Sequence, residues 1–148
     1  MHRISPKLTL LFAVAALAVA SAPAAEAAVP KTGVWKGDLV HQLTSGFEYK
    51  STMVITAYKA RIQTVVATVR MECGALDAPA SYGVRDVRVL QSWRTGRGPK
   101  LRANGAYAFR ADGAYFHGRL SRSRAIGAAS ARYGDNCHGT GRHNLQRR

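Results

Sequence analysis

Acidic side chains are scarce in this chain. It holds 8 Asp and Glu against 22 Lys and Arg, for a formal net charge of +14. The few carboxylates form no paired motif suited to general acid–base work. There is no Gly-x-Ser-x-Gly elbow to present a serine nucleophile. Cysteine is limited to Cys73 and Cys137. Neither lies near the N-terminus, so lipid attachment there has no acceptor. Long apolar runs are limited to one, Leu8 to Ala20, which spans 13 residues with Thr9 as its only polar member. A membrane-spanning helix needs roughly 20 apolar residues, and Ser21, Pro23 and Glu26 stop this run from extending. No amphipathic helical pattern follows it.

That single run has the layout of an export signal. Arg3 and Lys7 precede it, and small residues ending Ala25-Glu26-Ala27 follow it. A basic start, an apolar centre and an A-x-A site define a secretory signal peptide over residues 1–27, cleaved at Ala27-Ala28, with Ala24 as the nearest competing site. The expected localisation is therefore secreted, periplasmic or extracellular. Residues 28–32 read as a short leader, 33–146 as one β-domain, and 147–148 as a basic, frayed tail. Arg3, Lys7 and Glu26 carry one unit of the net charge, which leaves +13 on the exported part.

An oxidising compartment makes a Cys73–Cys137 disulfide the default. Cys137, His138 and His143 also form a Cys-His-x₄-His cluster, which would be a metal site only with Cys137 as a free thiolate. The disulfide removes that ligand, so neither a metal nor another cofactor is expected.

From Gly33 onward the pattern is β. Trp35 and Leu39 share one face. Phe47, Tyr49, Met53, Ile55 and Ala57 recur at period two, and so do Val65, Ala67, Val69, Met71 and Cys73. Alternation of this kind marks half-buried strands. Gly74 to Gly83 reads as a loop, and Val84 to Trp93 as a strand with a competing helical reading. Asn104-Gly105 and Asp112-Gly113 are hairpin-turn dipeptides. Segments Ala106–Ala111, Ala114–Leu120 and Ile126–Tyr133 follow as strands, and Gly134 to Cys137 forms a further turn. The fold class is all-β: an antiparallel sandwich or barrel of seven or eight strands.

The order of these elements resembles a group of small exported bacterial β-domains of unknown function. The matching features are Gly33-Val34-Trp35-Lys36-Gly37 and a basic strand from Arg61-Ile62 to Cys73. They continue with Gly105-Ala106-Tyr107-Ala108-Phe109, Gly118-Arg119-Leu120, and an Ala/Gly-rich strand from Ala128 to Cys137 and Gly139. The resemblance implies the fold and the disulfide, and it implies no catalytic residues. Arg147-Arg148 depart from the pattern of the group. Gly33-x-Trp35 is also similar to the first strand of lipocalin-like barrels, which implies an interior site for a small apolar ligand.

Two basic segments carry the functional reading. Trp93, Arg94, Arg97, Lys100 and Arg102 form a loop in which guanidinium and ammonium groups could hold anions while the indole stacks. Arg119, Arg122 and Arg124 form the second. The expectation is a non-enzymatic binding module for an anionic polymer or cell-surface component. The alternatives are a small hydrolase or nuclease built on Glu72, His117 and Arg119, and a lipocalin-like carrier.

Overall fold

The computed structural model describes residues 32–75 and 78–148, with backbone alone at 75 and 78–82. The expected signal peptide, its cleavage site and residues 28–31 of the leader lie outside the described residues. Among the described residues eight antiparallel strands form one sheet: β1 (Gly33–Gln42), β2 (Glu48–Tyr58), β3 (Arg61–Ala75), β4 (Ala78–Ser92), β5 (Ala106–Ala111), β6 (Ala114–Leu120), β7 (Arg124–Tyr133) and β8 (Cys137–Arg147). The all-β expectation holds, with the upper strand count.

The strand order is β4-β3-β2-β1-β8-β7-β6-β5. Consecutive strands therefore pair except β4 and β5, between which the sheet opens, and β1 pairs with β8. The sheet curls into a sandwich- or barrel-like body. Its two edges meet where the Leu90 amide donates to the Asp112 carboxylate at 3.0 Å and where the Trp93 ring stands edge-on to Phe109, centroids 5.6 Å apart. A second pairing of β3 with β8 sets Glu72 opposite His138 and Cys73 opposite Cys137. The disulfide joins the strands there, closing a sequence separation of 64 residues. In the chain-entropy picture a loop of that length contributes about 4 kcal/mol.

Inward positions alternate along each strand. Trp35, Leu39, Met53, Ile55, Ile62, Val65, Met71, Phe116, Leu120 and Leu145 are fully buried. Each such large side chain adds roughly 1.5–3 kcal/mol relative to exposure. Two histidines, His41 and His143, are buried among them.

Several sequence expectations are corrected. Gly74 to Gly83 is not a loop, because β3 runs to Ala75 and β4 begins at Ala78. A register shift at Gly74/Ala75 absorbs the poor strand formers, and pairing on both sides of β3 overrides their local preference. Phe47 leaves the alternating set, lying before β2 with 74% of its surface exposed. Asn104-Gly105 does not join paired strands. It closes the long β4–β5 connection through a hydrogen bond from the Gly105 amide to the Arg102 carbonyl. The basic tail is held instead of frayed: β8 includes Arg147, and the Arg148 amide donates to the Val34 carbonyl at 2.9 Å.

Candidate functional site

In an up-and-down meander, alternate connections emerge at the same end. The β2–β3 turn, the β4–β5 connection, the β6–β7 turn, the start of β1 and the end of β8 share one end here. Backbone hydrogen bonds join them in series. The Leu101 amide donates to the Ala60 carbonyl, the Leu120 amide to Gly105, and the Arg147 amide to Ser123. Arg61 and Lys100 form a bridge. The Arg147 guanidinium reaches the Thr32 carbonyl at 2.9 Å.

This arrangement brings the two sequence-predicted basic segments together. Arg94, Arg97, Lys100 and Arg102 are exposed on the β4–β5 connection, and Arg122 and Arg124 are exposed on the β6–β7 turn. Arg119 is exposed on the adjoining end of β6. Lys59, Arg147 and Arg148, which the sequence reading did not include, join them. Among the described residues no Asp or Glu belongs to these connections. Glu48, Glu72, Asp112 and Asp135 lie in or beside the turns of the opposite end, and Asp38 sits within β1. Asp86, on β4, is held by Arg70 at 2.8 Å. That bond keeps its carboxyl below the ordinary carboxylate range and the guanidinium above its own.

Trp93 does not reach out from the basic loop. It is half-buried, packs against the core and meets Phe109. It anchors the loop, so stacking by its indole finds no support in this geometry. Arg70 and Arg85 are occupied elsewhere, lying 3.3 Å and 3.6 Å over the rings of Tyr49 and Tyr133.

The residues of the nuclease alternative do not converge: His117 and Arg119 share the outer face of β6, and Glu72 lies away from them on β3. Glu72 accepts bonds from the Thr44 amide and hydroxyl, the latter at 2.6 Å, and so fastens the β1–β2 turn. His117 stands on the outer face of β6, with β7 and β8 between it and β3. The Cys-His-x₄-His cluster is likewise separated. Cys137 is in the disulfide. His138 is exposed and His143 is buried, because five residues along a strand change face.

His143 has a partner that sequence reasoning did not supply. Its Nε2 shares a 2.5 Å hydrogen bond with the Tyr107 hydroxyl, and the rings stack at 6.3 Å. Burial lowers the imidazole to about 4, and nearby His117 adds to the effect. Burial also raises Tyr107 above the ordinary phenol range. A neutral, enclosed pair of this kind is a structural element of the core.

The outer face of β8 carries a shallow trough that leads away from the basic end. Recesses along it share residues in sequence. Gln146 and Arg148 link the first to the second. Arg142 and Val40 link the second to the third, and Thr140 links the third to the fourth. The second has a volume of about 650 Å³.

Compared with protein-family models, with curated proteins and with solved structures, the chain matches none.

Proposed function

We propose that this protein is an exported, non-enzymatic binding module that engages an anionic polymer or cell-surface component through its basic end. The observation that carries the reading is the convergence of three connections, the start of β1 and the end of β8 into one surface without a described Asp or Glu. Exposed guanidinium groups in such a field attract polyanions and release their counterions on contact. The disulfide is consistent with an oxidising compartment, which fits the signal-like start of the chain. The core positions are filled by side chains such as Trp35, Met53 and Phe116, so nothing in the interior favours the carrier reading.

The test is binding of an anionic oligomer across a salt series. Affinity is expected to fall steeply with salt. The triple variant Arg94→Glu, Arg97→Glu, Lys100→Glu is expected to weaken binding by about tenfold or more and to flatten the salt slope by about one unit per lost contact. Binding that is constant across salt, or unchanged in the triple variant, would overturn the proposal.

A further inference from the structure

The trough along β8 differs in chemistry from the end it leads from. Its line is set by the outward positions of one strand: His138, Thr140, Arg142, Asn144, Gln146 and Arg148, all exposed. Neighbouring outward positions on a strand are about 6.8 Å apart, so these six span roughly 34 Å. The trough exists because its flanks are low. Ala128 and Ser130 on β7 and Val40 on β1 are short side chains beside β8, while the exposed Ile126 stands on the β7 side opposite Asn144. Arg124 and Arg132 rise on the β7 side and Lys36 on the β1 side. Two carboxylates, Asp38 and Glu48, also line it on the β1–β2 side.

The spacing of charge along this line is wide. Arg142 and Arg148 lie six residues apart, about 20 Å on an extended strand. On the strand itself two amides, Asn144 and Gln146, stand between them, with Lys36 and Arg124 flanking Gln146 from the neighbouring strands, and the hydroxyl of Thr140 follows. A nucleic-acid strand carries a charge about every 3.4 Å in a duplex, far denser than these cations. Nonspecific single-strand binding also uses aromatic platforms, and no outward position of β8 is Phe, Tyr or Trp; its one ring is the imidazole of His138 at the far end. Tyr115 lines only the far recess, stacked on His117 at 5.5 Å. Amides and hydroxyls between separated guanidinium groups instead suit a chain of hydroxyl-rich units bearing intermittent carboxylates. Arg binds each carboxylate as a fork, and Asn and Gln exchange bonds with the hydroxyls.

We infer that the β8 trough seats an extended acidic polysaccharide of the uronate type, entering from the basic end. The inference rests on the anion-binding reading above and names the class of polymer. The full exported chain, with its disulfide intact, is titrated with a uronate oligosaccharide and with a single-stranded DNA of equal charge. Two variants are compared: Arg142→Ala with Asn144→Ala in the trough, and Arg94→Glu with Arg97→Glu at the end. All four side chains are exposed, and thermal unfolding checks that each variant folds. The trough variant is expected to lose uronate affinity by about tenfold while changing DNA affinity far less. The end variant is expected to weaken both. A trough variant that binds uronate like the parent, or DNA bound more tightly than uronate at equal charge, overturns the polysaccharide assignment and leaves the basic-end reading standing. Absence of binding to either polymer at low salt overturns both.

Discussion

Two histidines sit where a charged ring is costly. His143 and His41 are 2% and 1% exposed, and burial lowers the affinity of both for a proton. The sign of the effect on stability follows. An unfolded histidine titrates near 6.5, whereas folded His143 titrates at about 4. Between those values the unfolded chain binds the extra proton, so stability is full above the upper value and falls as pH drops toward the lower one. For His143 the complete loss is about 3 kcal/mol, and His41 adds to it in the same direction. Asp86, whose carboxyl is lowered by Arg70, contributes its loss as pH falls through its ordinary value of 3.8, mostly below the histidine window. The window from pH 6.5 to 4 therefore reports chiefly on the histidines. Urea unfolding is expected to show that decline, and His143→Gln is expected to reduce its slope. A flat profile would contradict neutral burial of the ring.

At the scale of elements, the critical contact is where β8 crosses β3. A Cβ at Gly139 would lie 2.0 Å from the Arg70 carbonyl oxygen and 2.9 Å from the Met71 Cα. Both are backbone atoms, so no flexible side chain can yield. Gly139→Ala is expected to push β8 off β3 and to lower stability by about 3 kcal/mol, read as a fall in the urea midpoint. Gly83→Ala is the matched control. Its Cβ would make an ordinary 3.9 Å contact with Cys73, and its effect should stay within about 1 kcal/mol. Equal midpoints for the two variants would remove this role from Gly139.

Much of the element pattern was legible because side-chain alternation reports burial directly. Trp35, Leu39, Met53, Ile55 and Val65 stand where period two puts them. Asp112-Gly113 is the turn its dipeptide announces, with φ of 47° and 81°. The β2–β3 turn carried no such mark. Lys59 and Ala60 hold φ of 49° and 60°, a region that non-glycine residues enter at a cost, and only the strands on either side impose it. The β3–β8 pairing carried one mark, the expected Cys73–Cys137 disulfide, which brings the two strands together but does not show that they pair. It depends on how a long strand bends past a shorter one, and no local sequence signal encodes that. Of the candidate site, the basic segments were legible as composition, but their union was not. Whether two loops meet is decided by strand order. Once the chain is known to be a meander, the parity of the connections places both segments at one end and adds Lys59, Arg147 and Arg148 to them. Trp93 was misleading because an aromatic residue in a basic loop has the same sequence whether its ring faces in or out.

Over the described residues the molecule is electrically polar along the axis of its strands. Exposed cations crowd one end, and carboxylates gather at the turns of the other. Folding assembles that basic end from connections that are far apart in the unfolded chain, so it brings like charges together and opposes the compact state. Salt weakens the repulsion, because the Debye length falls from roughly 30 Å at 0.01 M to about 8 Å at 0.15 M. The melting temperature is therefore expected to rise with salt over that range. A gain of about 1 kcal/mol corresponds to roughly 4 °C for a domain of this size. Arg97→Glu places a negative charge inside the cluster. It is expected to raise the melting temperature at low salt and to reduce its further rise on adding salt. The same substitution weakens polyanion binding if the basic end is the binding surface, so stability and affinity should move in opposite directions. Thermal melts of the parent and the variant at the two salt concentrations supply the check. A parent whose melting temperature is indifferent to salt, or a variant less stable than the parent at low salt, would mean that these cations do not act on one another as a single field.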